Sequence, residues 1–572
     1  MAAIVPNHHW KITSPPPGAV EPLAAAARVP PLIAQLLYQR GCRTPESIDE
    51  FLNPSASRLH RPETLPDIAR ATERIIAALE KKEPILVYGD YDVDGVCGTA
   101  LLVSALKNLG GEVLAYLPHR ASEGYGLSLA GIEFARTHNI RLIITNDCGS
   151  SDIEALNLAR AAKIDVIVTD HHEIGPQPPP VLAFVNPKRP DSQYPFRELA
   201  GSGVAFKLAW HLLSTLGRSK QELIALLDLA GLGTIADVVP LVGENRLIAR
   251  LGLIALNQTT RPGIRMLIES SRLKSKILTA RDISFVLAPR INAAGRVGHA
   301  QTALELLLTD DETRARTIAC ELETLNRTRQ ALEDQIVNEA STFIDAEKMA
   351  ENRVLVLAQP GWNEGVIGIV AARLVERFWR PCIMIALKKE IGKGSGRSVT
   401  GFNLYEALHH CSEHLVAYGG HRYAAGLKIL PERVPSLRTA LNRFAAELPE
   451  EIFQPTLHIE AVASLNEVDE NLLSLLARFE PFGPENPEPV FASLGLEVVG
   501  YPRRVGRDKA HLKFRVRSGN KVLDAIAWQR SNELLNLEIG KPDHLDICYT
   551  VTRDSYAGHA KVQLNIIDLR TK

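Results

Sequence analysis

The chain has 572 residues and carries 65 Lys and Arg against 66 Asp and Glu, a net charge of −1. A length several times the usual domain of roughly 100 to 200 residues predicts three or four separate cores, and 45% hydrophobic with 23% charged residues excludes a disordered or fibrous protein. No apolar run approaches the ~20 residues that span a bilayer, and Met1 to Trp10 lacks a basic segment followed by an apolar stretch, so neither membrane insertion nor secretion is expected.

Residues 1–62 read as a helical cap, with apolar positions at Leu32, Leu36, Leu37, Ile48, Phe51 and Leu52 after the proline run Pro15 to Pro17. A helical pattern through Ile68, Ile75, Ile76 and Leu79 then leads into Pro84–Gly89, a short apolar run that predicts a buried strand. Further runs at Glu112–Tyr116, Arg141–Thr145 and Asp165–Thr169 alternate with helix-compatible segments such as Thr99–Leu109 and Ser151–Ala162. This alternation predicts a parallel sheet covered on both faces, the centre of a domain over 63–255. Polar residues follow three of the runs directly, at Asp90 to Asp94, Asp147, and Asp170 to His172, on the edge where open α/β sheets bind ligands.

Neither glycine nor proline occurs between His299 and Gln359, and apolar residues recur at Ile318, Leu322, Leu325, Leu332, Ile336, Ala340 and Phe343. A long helix within a connector at 256–350 is predicted. A second α/β domain over 351–452 begins with the runs Arg353–Ala358 and Cys382–Ala386. From 453 to 572 the segments shorten and alternate, as in Leu496–Val499, His511–Val516 and Val562–Ile567, which predicts a small β-barrel. The seven cysteines stand singly without Cys-x-x-Cys spacing, so neither zinc nor disulfide chemistry is indicated and a reducing cytoplasm is the expected location.

Two divalent cations about 3.5 to 4 Å apart can activate a water and neutralise the leaving oxygen of a phosphoester, provided carboxylates and imidazoles hold them. Asp92, Asp94, Asp147, His171, His172 and Asp237 supply that set, with Asp147 the natural candidate to bridge both ions. Each piece has a plainer reading: an acidic loop ending in glycine as a turn, a His-His pair as surface or core, Asp237 as a helix cap. Their joint placement at strand ends on one edge favours a metal-dependent phosphoesterase.

The ordered set Asp92-x-Asp94, Asn146-Asp147-Cys148-Gly149, Asp170-His171-His172 and Gly233-Thr-Ile-Ala-Asp237 resembles the four motifs of the DHH phosphoesterase family. Glu123–Leu127, Pro289–Arg296, Gly365–Ala371 and Gly419–Gly426 are similar in order to segments of its single-stranded-DNA exonuclease branch, and the similarity runs from about residue 60 to the end. The resemblance implies an α/β protein with a DHH catalytic domain, a DHH-associated second domain and a C-terminal barrel of the oligonucleotide-binding (OB) type. The implied activity is 5′-to-3′ degradation of single-stranded DNA to mononucleotides in recombination and repair, with two ions of Mn2+ or Mg2+. Further implications are a monomer that works with single-strand-binding protein and a RecQ-type helicase.

Carried over by motif, Asp92, Asp94, Asp147, His171 and Asp237 would ligate metal, with Asp90 a further candidate, and His172 would lie by the scissile phosphate or complete the metal shell. Asp94, Asp147, His171 and His172 form the implied catalytic set. Ser395, Arg397, Arg120 and Arg296 would receive the 5′ end and adjoining phosphates, because several anionic oxygens must be satisfied together. Gly419, Gly420 and His421 would approach a phosphodiester closely, or form a tight turn with a buried histidine. Arg290 and Asn292 would grip phosphates or tie domains together. Lys513, Arg515 and Arg517 alternate onto one strand face in Tyr501–Arg517, a segment with seven Lys or Arg and one acid, interleaved with Tyr501 and Phe514 for base stacking; the alternative is a solvated basic edge. Two departures stand out. Tyr88 lies where DHH pyrophosphatases carry histidine, and Asn363 follows Trp362 where the exonucleases commonly have histidine.

Overall fold

The computed structural model describes residues 8–120, 122–273, 277–506, 508–530, 544–554 and 561–571. Its first sheet has five parallel strands in the order Val113–Tyr116, Ile85–Gly89, Leu142–Asn146, Asp165–Thr169, Ala183–Val185. Side chains alternate between two apolar layers: Ile85, Val87, Leu142, Ile144 and Ile167 face the helices Val93–Asn108 and Gly201–Thr215, while Leu86, Tyr88, Ile143, Val166 and Val168 face Leu129–Thr137 and Ile153–Ala161. Burial on both faces explains why these strands read as continuous apolar runs. After its first strand the chain moves to one side of the sheet and then returns to the other. Ile85–Gly89 and Leu142–Asn146 therefore flank the switch point, where the loops diverge and leave a crevice.

The long helix runs from Glu312 to Ala346. It buries Ile318 and Leu322 against the first domain and Ile336 and Ala340 against the second, so one helix belongs to two cores. The second sheet has the order Ala417–Gly420, Ala424–Ile429, Gly392–Arg397, Cys382–Leu387, Leu355–Pro360, parallel only in the last pair. At the C-terminus Phe491–Val505 pairs with both His511–Ser518 and Leu545–Asp554, which closes a five-stranded barrel with Lys521–Ala527 and Lys561–Thr571. Among the described residues that closure leaves no long unpaired edge.

The cap carries three helices, Val20–Ala27, Pro31–Gln39 and Pro45–Leu52, as its pattern predicts. Sequence alone did not disclose its partner. Ile33, Leu36 and Leu37 are fully buried in the same core as the barrel residues Phe491, Leu512 and Tyr549, and His9–Ile12 pairs in parallel with Thr456–Ile459. Arg246, on the catalytic-domain helix Gly243–Asn257, joins the bodies further. Its guanidinium donates to the carbonyls of Phe51 at 2.9 Å, Arg478 at 2.9 Å and Phe479 at 3.2 Å. Deeper still, Lys207 is wholly buried and donates to Glu244 at 2.7 Å and to the His60 carbonyl at 2.6 Å, while Tyr194 donates to the same carboxylate at 2.6 Å. Among the described residues no helix is long and apolar enough to cross a membrane, and all seven cysteines are free.

Candidate metal centre and nucleic-acid interface

The acidic and histidine residues predicted from the sequence converge at the switch point. Asp90 and Asp92 lie on the loop after Ile85–Gly89, and Asp94 in the first turn of Val93–Asn108. Asp147 follows Leu142–Asn146 with φ +63°, His171 and His172 follow Asp165–Thr169, and Asp237 ends the helix Leu227–Ala236. Three sets of ligand atoms each lie within 4.8 Å of one another: Asp147, His171 and His172; Asp94, His171 and Asp237; Asp90, Asp92 and Asp147. His171 Nε2 is 3.0 Å from Asp147 Oδ1 and 3.8 Å from Asp237 Oδ2.

Two details decide against the plainer readings. Asp237 stands at the C-terminal end of its helix, where a carboxylate meets the negative end of the dipole, so it is not a stabilising cap. Buried oxygens of Asp90, Asp147 and Asp237 lack an aligned hydrogen-bond donor, the 3.0 Å approach of His171 Nε2 to Asp147 included, although buried carboxylates almost always acquire one. Burial, and then the neighbouring Asp237 and Asp92, push the Asp94 carboxyl up to about 8; burial and the surrounding aspartates raise Asp90 and Asp147 well above the ordinary range. A cluster of hard oxygen donors with imidazole, mutually repelling and incompletely satisfied, fits divalent cations.

The supporting contacts were not legible in the motifs. The backbone N–H groups of Gly201 and Ser202, which open the helix Gly201–Thr215, donate to Asp94 at 2.6 and 3.0 Å. A Cβ on Gly201 would stand 2.8 Å from Asp147, and one on Gly233 would stand 2.7 Å from Asp94 Oδ1, so glycine at both positions lets the backbone close on the carboxylates. Asp170 belongs to none of the three ligand sets. It accepts from the backbone of Ser150, His171 and His172 and from His172 Nδ1 at 2.8 Å, contacts that hold its carboxyl below the usual range against the opposing effect of burial. The same contact, again against burial, pushes His172 up to about 9, whereas burial lowers His171. Tyr88 turns away from the centre. It is fully buried on the opposite layer and donates to the Gly126 carbonyl at 2.9 Å, so it offers no ligand where the pyrophosphatases have one.

Next to the carboxylates lies a cationic group. Arg296 is lowered to about 10 by burial and then by Arg120 and Arg397, so three guanidiniums lie close enough to repel one another. Arg397 Nη1 donates to Ser395 Oγ at 3.3 Å, and Arg120 lies 5.0 Å over the Tyr91 ring. In the second sheet Gly419 pairs with Gly426, which pairs with Ser395, so Ser395 and Gly419 share a row; Gly420 and His421 continue from that edge, and His421 is exposed rather than buried.

Other DNA-contact candidates are placed differently. Arg290 donates to Glu323 at 2.8 Å and to the Val286 carbonyl at 2.6 Å, which ties helices of the connector together, and Asn292 is half-buried on the same helix. On the barrel, Lys513, Arg515 and Arg517 do share the outer face, but Lys513 pairs with Asp554 at 2.6 Å and Arg517 with Glu497 at 2.7 Å. Phe514, expected to stack on bases, is instead in the barrel core at 3% exposure, because it occupies the inward register of the same strand. Tyr501 is exposed, and Arg507 lies outside the described residues. A cleft of about 1780 Å³ separates the barrel from the catalytic domain; Asp237, Val238 and Phe285 line one wall, Lys513 and Trp528 the other.

A carboxylate–histidine centre at the switch point of a parallel sheet, faced by an arginine group and a second α/β domain, defines a phosphoesterase of the DHH type. Family models agree: the DHH family N-terminal domain matches residues 84–234, the DHHA1 domain 351–447 and the RecJ OB domain 459–568. The chain belongs to the RecJ family. It is 38% identical over 564 residues to the single-stranded-DNA-specific exonuclease RecJ of Bacillus subtilis, covering 98% of this chain and 70% of that one. It is 34% identical to the protein of the same name from Escherichia coli, covering 95% and 96%. The crystal structure of RecJ in complex with Mn2+ from Thermus thermophilus matches with a TM-score of 0.83 at 32% identity, over 98% of this chain and 79% of that chain, and the corresponding Mg2+ complex with 0.76 at 31% over 98% and 78%.

Proposed function

We propose that the chain is a metal-dependent exonuclease that degrades single-stranded DNA to mononucleotides from the 5′ end, in recombination and repair. The observation that carries this reading is the set of unsatisfied Asp90, Asp147 and Asp237 oxygens beside His171 and His172, with Asp237 also lining a cleft whose far wall is the barrel. Mn2+ or Mg2+ held there supplies Lewis acidity and an activated water. Asp92, Asp94, Asp147, His171 and Asp237 hold the ions, with Asp90 adjoining. Asp170 fixes the Nδ1 proton of His172, so Nε2 faces the reacting phosphate as a proton donor or a positive charge. Arg120, Arg296, Arg397 and Ser395 take the phosphate of the 5′ end, and the row through Gly419, Gly420 and His421 receives backbone beside it. Lys513 and Trp528 line the cleft that the following nucleotides would take, and Arg515 stands exposed on the same strand as Lys513.

Domain boundaries near residues 62, 255, 350 and 452, a monomeric state, single-strand-binding protein and a RecQ-type helicase as partners, and a cytoplasmic location belong to the same reading. The test is product release from DNA labelled at either end, with wild type and Asp94→Ala. Mononucleotides should leave the 5′ end only with divalent metal present, and the variant should be inactive. Degradation that survives a chelator, or that starts at the 3′ end, overturns the reading.

A further inference from the structure

The segment Glu123-Gly-Tyr-Gly-Leu127 has a role that the metal and phosphate ligands leave unassigned. Its loop is fastened at both ends: Glu123 accepts from His119 N–H at 2.8 Å and from Tyr116 at 2.9 Å, and Leu127 N–H donates to Asp152 at 2.7 Å. From this frame Tyr125 reaches the metal centre. Its hydroxyl donates to the main-chain oxygen of Asp147 at 3.0 Å and lies 3.0 Å from Nδ1 and 3.3 Å from Nε2 of His172. The two rings meet edge to face with centroids 5.5 Å apart.

This geometry is unlike that of a core tyrosine. The residue is 51% exposed, yet its polar end is directed inward onto two groups of the centre. A hydroxyl has one proton. With that proton on the Asp147 carbonyl, and with His172 Nδ1–H already given to Asp170, the phenolic oxygen packs against the imidazole at nearly equal distance from its two nitrogens. Asp147 needs such support, since φ +63° is an unfavourable conformation for a residue with a side chain and persists only when its surroundings enforce it.

We propose that Tyr125 is a positioning residue for the hydrolysis reaction: its hydroxyl ties the strained Asp147 turn to the His172 ring, so that the Asp147 carboxylate and the His172 imidazole keep one relative placement. The inference rests on the proposed phosphodiesterase reading of the centre. The hydroxyl contacts no substrate and acts through its two neighbours, in the manner of the outer hydrogen-bond partners that orient metal ligands.

Tyr125→Phe removes the hydroxyl and keeps the ring. Its kcat should fall about ten- to a hundredfold, on long single-stranded DNA and on bis(nitrophenyl) phosphate alike, because the defect lies at the reacting centre. KM for DNA should stay within about threefold of wild type, since substrate-binding groups are untouched, and the thermal midpoint should be unchanged. Wild-type kcat in the variant, a loss confined to DNA, or a fall in thermal midpoint large enough to account for the loss would each overturn the proposal. A wild-type protein that cleaves the nitrophenyl diester but not DNA refutes the exonuclease reading instead, and the comparison on the small diester still decides the role of Tyr125.

Discussion

Replacing Gly201 by alanine tests the construction of the metal centre without touching a ligand. The new Cβ would stand 2.8 Å from Asp147 Cβ and Oδ1, against an ordinary contact of about 3.5 Å, so the carboxylate must retreat by about 0.7 Å. Catalytic groups tolerate displacements of about 0.5 Å before rate suffers. A fall in kcat of about ten- to a hundredfold follows, equivalent to about 1.4 to 2.7 kcal/mol of barrier. Because the clash falls on Asp147 Cβ as well as on its carboxylate, overpacking should cost about 1 to 3 kcal/mol of stability, offset in part by the helix preference of alanine. Gly201 has no positive φ, alanine keeps the N–H that binds Asp94, and alanine in a helix is favoured over glycine by up to about 1 kcal/mol. Steady-state kinetics on 5′-labelled DNA, Mn2+ titration by calorimetry and a thermal scan read the three quantities. A variant with wild-type rate and Mn2+ affinity would refute the placement of Asp147 in the centre, and so would a loss of activity explained wholly by unfolding.

Lys207→Met leaves Glu244 buried with its cation removed and should destabilise the protein by about 3 to 5 kcal/mol; Lys207→Met with Glu244→Gln should recover most of that in urea unfolding, and equal loss in both would contradict the buried pair. Metal-free protein should lose thermal stability as pH rises from about 4 to about 8, because the folded state, with Asp94 raised to about 8, binds more protons than the unfolded chain across that window. Mn2+ should flatten the profile, and Mn2+ at a hundred times its Kd should add about 2.7 kcal/mol of stability; calorimetric scans across pH read both effects, and a metal-free midpoint that rises with pH would count against the raised carboxyls. Arg515→Ala, on the exposed barrel face, should weaken binding of a long strand and reduce the salt slope by about 0.7 while leaving dinucleotide cleavage unchanged, measured by fluorescence anisotropy over a salt series.

The strand runs and their acidic ends were legible because a strand buried on both faces is written as consecutive apolar residues, and the loop that follows it is short. Asp92, Asp94, Asp147, His171 and His172 come from three such loops, so their convergence follows from the parallel sheet alone. Asp237 arrives from the end of a helix rather than from a strand loop and was readable only through its motif. The contacts of Gly201, Ser202 and Tyr125 were not readable, since each joins segments 22 to 108 positions apart through backbone atoms that leave no pattern in residue type. Phe514 shows the opposite limit. An aromatic residue among arginines suggests stacking, but strand alternation had already assigned it to the inward face, beside Leu512 and Val516.

The shared core of cap and barrel also bears on how the chain comes to be folded. Trp10 donates to Asp568 at 2.8 Å across 558 positions of sequence, and Arg40 pairs with Glu460. During synthesis the apolar side of Pro31–Gln39 is covered only in part, by its neighbour Val20–Ala27, until residues 461–476 emerge, long after the catalytic sheet can form. Maturation of the cap is thus a late, non-local event, and loss of the chain from residue 453 onward would uncover part of the Ile33, Leu36 and Leu37 surface as a sticky patch. A truncated chain would announce itself by aggregation before any change in cleavage could be read, so the barrel is better probed by single surface substitutions than by removal.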